Sequence, residues 1–216
     1  MKKILIAVPC MDMVSARFAQ SLATLKRIED TQVTVSFLIG SLVYDSRNRL
    51  AAMAIQMEAD YIMWFDSDMT FAGDTVERML KVLDEHPEIE ILSGLYFRRV
   101  APFTPVLFSK LEENGDAIEW EDFENIPDGL FEIAGCGFGC VLMRTDCLYG
   151  MLNGDVGNWF TPINNVGEDC AFCIRARNNG YKIFCDPSIE CGHMGYAPVT
   201  RGFYEAMKEN DNGNIG

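Results

Sequence analysis

YIMWFDSDM, from Tyr61 to Met69, runs five apolar and aromatic residues into two aspartates separated by one serine. A strand buried on both faces of a parallel sheet shows as a continuous apolar run rather than an alternation. Residues 61–65 are therefore expected inside a sheet with their carboxyl end at its surface. In open α/β sheets, ligands bind outside the carboxyl ends of the strands. Two closely spaced carboxylates there form a hard oxygen site for Mg²⁺ or Mn²⁺. Read alone, the same Asp66-Ser67-Asp68 run is equally a solvated turn, since Asp and Ser are ordinary turn residues.

Outward from this stretch, strand and helix patterns alternate. Residues 3–8 read as a strand, 14–29 as an amphipathic helix and 32–39 as a second strand closed by Gly40. A helix N-capped by Asp45 or Ser46 then runs to about Glu58, with Ala51, Ala52, Ile55 and Ala59 toward the sheet. Another begins near Asp74, carries Val76, Met79, Leu80 and Leu83 at helical spacing, and ends before Pro87; residues 89–97 return as a strand. This repeated βα pattern predicts a Rossmann-like α/β fold, a mostly parallel central sheet with helices on both faces. After Arg99, short apolar runs at 106–108, 130–134 and 140–143 are separated by Pro, Gly and acidic loops, which predicts a mixed or antiparallel part joined to the same sheet. One domain over residues 1–200 is expected, followed by a polar, glycine-rich tail at 201–216 that frays. GCGFGC, from Gly135 to Cys140, lies too late and leads into a strand rather than a helix, so it is no dinucleotide fingerprint. Its glycines admit a ligand or another backbone.

The 216 residues, 49% hydrophobic, suffice for one well-buried core. The net charge of −14 argues against a general nucleic-acid binder, and a phosphate-bearing ligand would need a cation or local arginines to offset it. From Glu112 to Glu132 stand nine acidic residues and no Lys or Arg, read as a solvated loop, a lid, or a surface selecting a cationic or polar partner. MKKILIAVPCM resembles a short signal peptide, but Pro9 and Asp12 interrupt its apolar run, so it reads as a first strand. With no stretch of about 20 apolar residues, no transmembrane segment and a cytoplasmic location are expected. The eight cysteines, including C-x3-C at Cys136/Cys140 and C-x2-C at Cys170/Cys173, are read as reduced, core-packing thiols rather than disulfides or zinc ligands.

A second chemistry-bearing stretch, from Gly167 to Gly195, places Glu168 and Asp169 at the mouth of a helix that runs to about Asn178. A strand from Tyr181 to Cys185 ends at Asp186 and Pro187, and His193 sits in a glycine-flanked loop. Carboxylates at a helix N-terminus also simply complement its dipole. An imidazole approaching two aspartates is a reasonable third ligand for Mn²⁺, which gives the expected metal set Asp66, Asp68 and His193.

Together, these residues resemble nucleotide-sugar-dependent glycosyltransferases of the GT-A fold, above all the large inverting family (family 2-like) typified by bacterial polysaccharide and cell-surface enzymes. The resemblance spans nearly the whole chain. It rests on Arg47-Asn48 before the D-x-D strand, on Asp66 and Asp68, on Gly135 to Arg144, on Glu168, Asp169, Arg175, Gly180 and Tyr181, and on His193. It implies a donor half at about 1–99 and an acceptor half at about 100–200. A UDP-sugar is the favoured donor, with Mn²⁺ or Mg²⁺ as cofactor and a glycan, protein or small molecule as acceptor. Pro9, Arg47, Asn48, Asp66, Ser67 and Asp68 would bind the donor. Gly135, Gly137 and Arg175 would lie on the acceptor side, Arg175 orienting the acid pair. Asp169 would be the catalytic base and Glu168 a catalytic partner that positions acceptor or sugar. Cys10 and Asp12 are candidates for the base pocket, and Arg98 and Arg99 for a phosphate or the acceptor. Alternatives are a retaining GT-A transferase, a non-catalytic sugar-nucleotide or glycan-binding module, and a metal-dependent phosphohydrolase.

Overall fold

The computed structural model describes residues 1–114, 117–152, 157–163, 166–195 and 198–213. In chain order, the first half contains β1 (Lys2–Cys10), α1 (Ala16–Ala23), β2 (Thr31–Ile39), α2 (Val43–Gln56), β3 (Tyr61–Phe65), β4 (Met69–Thr70), α3 (Thr75–Glu85) and β5 (Ile91–Leu95). The second half contains β6 (Leu107–Asn114), β7 (Ala117–Asp122), β8 (Phe131–Glu132), β9 (Gly135–Cys136), β10 (Cys140–Arg144), α4 (Asp146–Gly150), α5 (Glu168–Asn178), β11 (Ile183–Glu190), β12 (Gly192–Met194), β13 (Pro198–Val199) and α6 (Arg201–Gly213).

The central sheet has seven strands in the order β2-β1-β3-β10-β5-β11-β8. β1 pairs in parallel with β2 and β3, and β11 with β5, while β10 runs antiparallel to both β3 and β5. β2, β1, β3, β5 and β11 therefore share one direction, and β10 and β8 oppose them. Alternate residues of the buried strands feed two cores. Ile4, Ile6, Val8, Met63 and Phe65 face one, which includes Phe18 of α1 and Val76, Met79, Leu80 and Leu83 of α3. Leu5, Ala7, Ile62 and Trp64 face the other, packed by Leu50, Ala51 and Ala54 of α2 and by Phe172, Cys173, Ile174 and Ala176 of α5. Helices thus cover both faces of a mixed α/β sheet, and YIMWF is fully buried as expected. All eight cysteines are free.

Several boundaries differ from expectation. α1 ends at Ala23 rather than near Glu29; Thr24 leaves helical geometry at φ −98° and ψ 3°, and its hydroxyl donates to the carbonyls of Gln20 and Ser21. α2 begins at Val43, before Asp45, with Leu42 as a cap that makes no side-chain bond. β11 continues through Asp186 and Pro187, its register shifting between Asp186 and Glu190, an irregularity that accommodates a residue with no N–H. The acidic run is in part a hairpin. β6 and β7 pair antiparallel, burying Leu111 and Ile118 while their acids point to water, an alternation hidden by the density of charge. The tail does not simply fray; residues 201–213 form α6, and Tyr204 stacks on Phe97 with centroids 4.8 Å apart. No helix among the described residues is long and apolar enough to cross a membrane.

Candidate functional site

At the carboxyl ends of β1 and β3 a cleft of about 340 Å³ opens, lined by Pro9 and Cys10 from β1, Asp66, Ser67 and Asp68 after β3, Arg47 from α2, and Glu168 and Asp169 from α5. Larger hollows exist, including one of about 480 Å³ at the opposite sheet edge beside Lys2 and Asp60. The smaller cleft gathers four carboxylates from two distant segments beside the buried guanidinium of Arg47, at the carboxyl ends of the strands, so its chemistry outweighs its size as a criterion.

The organising residue is Arg47. Its side chain is 1% exposed, with the guanidinium 5.7 Å from the Trp64 ring, 5.5 Å from Phe138 and 5.9 Å from Phe160. Nη2 donates to Asp66 Oδ1 at 2.9 Å, while Nε lies 3.4 Å from Glu168 Oε1 and 3.3 Å from Asp169 Oδ1. Burial alone would weaken its hold on the proton, but Asp66, Asp169 and Glu168 together raise its affinity further. An arginine enclosed by aromatic rings is tolerable here because three carboxylates offset its charge.

Asp169 is the perturbed acid of this cluster. Burial, opposed by Arg47 and reinforced by Glu168 and Asp66, pushes its carboxyl up to about 7. The two oxygens differ. Oδ1 is sealed from solvent without a hydrogen-bond partner among the described residues, yet 27% of the side chain stays accessible, so the carboxylate is inserted edgewise with one side open to the cleft. A carboxylate that gains and loses its proton near neutrality, facing a cavity, is equipped for general base work.

His193 reaches the site through a small sheet in the order β13-β12-β4. His193 lies opposite Met69 of β4, and the Met194 N–H donates to the Asp68 carbonyl at 2.8 Å. Its Nε2 lies 3.4 Å from Asp68 Oδ2 while Nδ1 meets the Phe97 carbonyl at 2.9 Å. Burial would lower the imidazole's affinity for a proton, but Asp68 and the Phe97 carbonyl more than reverse that. Conversely Asp68, despite burial, is held below the usual carboxylate range by His193 and Arg99.

The expected three-ligand set is not assembled as such. His193 and Asp68 are adjacent, Asp66 is turned to Arg47, and among the described residues no group of three or more His, Cys, Asp or Glu side chains is gathered to hold an ion. Arg99, Nη1 2.6 Å from Asp68 Oδ2, occupies part of that carboxylate. Its position four residues beyond the end of β5 was visible in the sequence, but its partner was not.

Other expected site residues are placed elsewhere. Asn48 does not line the cleft; its Oδ1 accepts the Phe160 N–H at 2.8 Å and its Nδ2 lies 3.4 Å from Thr161 Oγ1, so it secures the segment before α5. Arg175 does not orient the acid pair; it donates to the Trp159 carbonyl at 3.0 Å, and Arg47 meets the acids instead. Gly135 and Gly137 are buried. A Cβ on Gly135 would stand 2.7 Å from Leu111 Cδ2, and one on Gly137 2.2 Å from Tyr96 Oη, so these glycines admit side chains of the core rather than a ligand. Tyr96, which sequence reasoning missed, accepts the Gly139 N–H at 3.1 Å and meets the His193 ring edge-on at 5.7 Å. Arg98 pairs with Asp122 at 3.0 Å, outside the cleft.

The fold is similar to that of A197 from STIV. The crystal structure of A197 matches with a TM-score of 0.63 and 18% sequence identity, over 90% of this chain and 86% of that one. At that identity, the likeness concerns fold alone. No protein-family model matches the sequence, and no curated protein does.

Proposed function

We propose that the chain is a GT-A glycosyltransferase that moves a sugar from a nucleoside diphosphate donor, UDP-sugar favoured, to an acceptor hydroxyl with inversion. One observation carries this reading: Asp66 of the D-x-D turn and the Glu168-Asp169 pair, about a hundred residues apart, meet on a single buried arginine in the cleft that Asp68 also lines, and burial pushes the Asp169 carboxyl up to about 7. In the reaction the acceptor oxygen attacks the anomeric carbon and the new C–O bond forms as the bond to the diphosphate oxygen breaks. The nucleoside diphosphate leaves with the electron pair, and Asp169 takes the acceptor proton. Glu168 shares Arg47 with the base and keeps it oriented, and Asp66, fixed by the same arginine, presents its free oxygen to the donor.

Asp68 and His193 would hold Mn²⁺ or Mg²⁺. The donor set fits, since an anionic oxygen and an imidazole nitrogen face one another and Nδ1 is anchored on a backbone carbonyl, an arrangement that orients metal-binding histidines. When bound, the cation would offset the negative charge that develops on the leaving diphosphate. Arg99 must release Asp68 for this to happen, which frees its guanidinium for the phosphates.

Thermal unfolding with UDP, GDP, dTDP and CDP, each with and without Mn²⁺, tests the donor site. One nucleotide should raise the melting temperature only when the cation is present. Identical melting under every condition would sink the assignment. For the base, Asp169→Asn should abolish most turnover while leaving nucleotide binding intact. Proton NMR of the product's anomeric centre distinguishes inversion from retention, and release of phosphate from model esters without an acceptor would favour a phosphohydrolase.

A further inference from the structure

Beyond the donor cleft, a cavity of about 650 Å³ lies between the turn at residues 101–104, the loop at 122–125 and α6. We infer that it is a saccharide site serving the acceptor, built for a neutral or amino-bearing glycan and against an anionic one. This rests on the transferase reading for the word acceptor, but the binding chemistry stands on the cavity itself.

The walls are aromatic and braced. Phe103 is met edge-on by Phe203 at 5.0 Å, Phe123 by Phe131 at 5.3 Å, and Tyr204 stacks on Phe97 at 4.8 Å. Each ring facing the cavity is thus backed by a second ring, which fixes it before any ligand arrives. The volume falls within the range of small-ligand pockets, about 300–1,000 Å³. Flat rings suit the C–H faces of a pyranose, which offers apolar surface on its faces and hydroxyls at its rim.

The rim chemistry narrows the ligand. Asp122, Glu124 and Asn125 supply the polar side, and the Asp122 carboxylate is held in place by Arg98 at 3.0 Å. Carboxylates only accept, so they pair with hydroxyls or with an ammonium. Lys208 is the one cation of the lining, and it donates to the Glu124 carbonyl at 3.0 Å. A sulfated, phosphorylated or uronic ligand would meet Glu124 and the Arg98-paired Asp122, two members of a run of nine acids without a Lys or Arg, with one ammonium already committed to a carbonyl.

Position ties the cavity to the cleft. Three consecutive residues link residues of the one to residues of the other. The Phe97 carbonyl holds His193 while its ring backs Tyr204, Arg98 fixes Asp122 of the cavity, and Arg99 reaches Asp68 of the cleft. Successive Cα atoms are about 3.8 Å apart, so this backbone link between the two sites is short.

Saturation-transfer NMR on the full chain, with methyl glucoside, methyl glucosaminide and methyl glucuronide as probes, decides the matter. The first two should receive saturation and the third should not. Phe103→Ala should weaken binding about three- to tenfold, the loss expected of one aromatic face. Glu124→Lys, a surface change that leaves the rings in place, should let the glucuronide bind. Equal binding of all three probes, no binding of any, or binding indifferent to both variants overturns the inference. If glycosides bind as expected while no nucleotide ever shifts the melting temperature, the cavity stands and the transferase reading falls. If a nucleotide with Mn²⁺ binds but no glycoside does, the reverse holds.

Discussion

Arg47 is where the candidate site and the core become one structure. Removing it leaves Asp66, Glu168 and Asp169 facing one another without their shared cation, and an uncompensated buried charge costs about 3–5 kcal/mol. Arg47→Met, which keeps the length of the side chain, is expected to lose stability of that order in urea unfolding near pH 8, and less near pH 5, where Asp169 is already protonated. Asp169 gives the converse experiment. Its folded-state value of about 7 lies above the ordinary 3.8, so between those values the folded chain binds more protons than the unfolded one and its stability falls as pH rises. Asp169→Asn escapes that loss. Its melting temperature should exceed the parent's by about 2 °C or more near pH 8, and the gap should narrow toward pH 5, as differential scanning calorimetry would show. The acids themselves were legible in the sequence, Asp66 and Asp68 as the end of an apolar run, Glu168 and Asp169 as the mouth of a helix. What Arg47, Arg99 and Asn48 do was not, because an arginine or asparagine on a helix or strand end acquires its role only from partners brought by the fold.

Among the elements, the glycine-rich stretch shows how a motif can be read for the wrong neighbour. The absence of side chains at Gly135, Gly137 and Gly139 does signal close approach, but Leu111, Cys173 and Tyr96 are what approach. This packing lets β10 enter between β3 and β5 with the Asp66 N–H reaching the Gly139 carbonyl at 3.3 Å, so it positions the D-x-D turn from behind. A methyl on Gly137 would collide with Tyr96 Oη and with Val106 Cγ1 at 2.8 Å. Gly137→Ala should therefore cost about 1–3 kcal/mol of stability as overpacking. The cost should be smaller in a Tyr96→Phe background, where the nearest obstacle is gone, and a double-mutant cycle by urea denaturation measures that coupling. Equal cost in both backgrounds would remove the steric account. Helix α3 was legible from its hydrophobic period, strand β3 from an unbroken apolar run, and helix α5 from the acidic pair at its start and Gly180 beyond its end. The β6–β7 hairpin and α6 were not, since in each a weak apolar alternation is masked by charge.

For the whole molecule, the sequence pattern predicted a mostly parallel sheet covered on both faces, with mixed or antiparallel strands after Arg99 joined to it, but not the insertion of β10 between β3 and β5, which depends on pairings between residues some 80 apart along the chain. That entry leaves the carboxyl ends of β1, β3 and β5 on one edge, where the acids converge. The resulting cleft sits on a chain of net charge −14, with Asp66, Asp68, Glu168 and Asp169 set against the guanidinium groups of Arg47 and Arg99. A diphosphate approaching without a cation is therefore repelled, and added salt shortens the reach of that repulsion from about 30 Å at 0.01 M to about 8 Å at 0.15 M. UDP alone should consequently bind more tightly, not less, as NaCl rises across that range, by about two- to fivefold in calorimetric titration. With Mn²⁺ present the dependence should flatten, because the ion carried to Asp68 and His193 offsets the phosphates locally. Weakening of UDP binding with salt in the absence of Mn²⁺ would mean that arginines rather than carboxylates dominate the field at the cleft, and would remove the electrostatic argument for the proposed divalent ion.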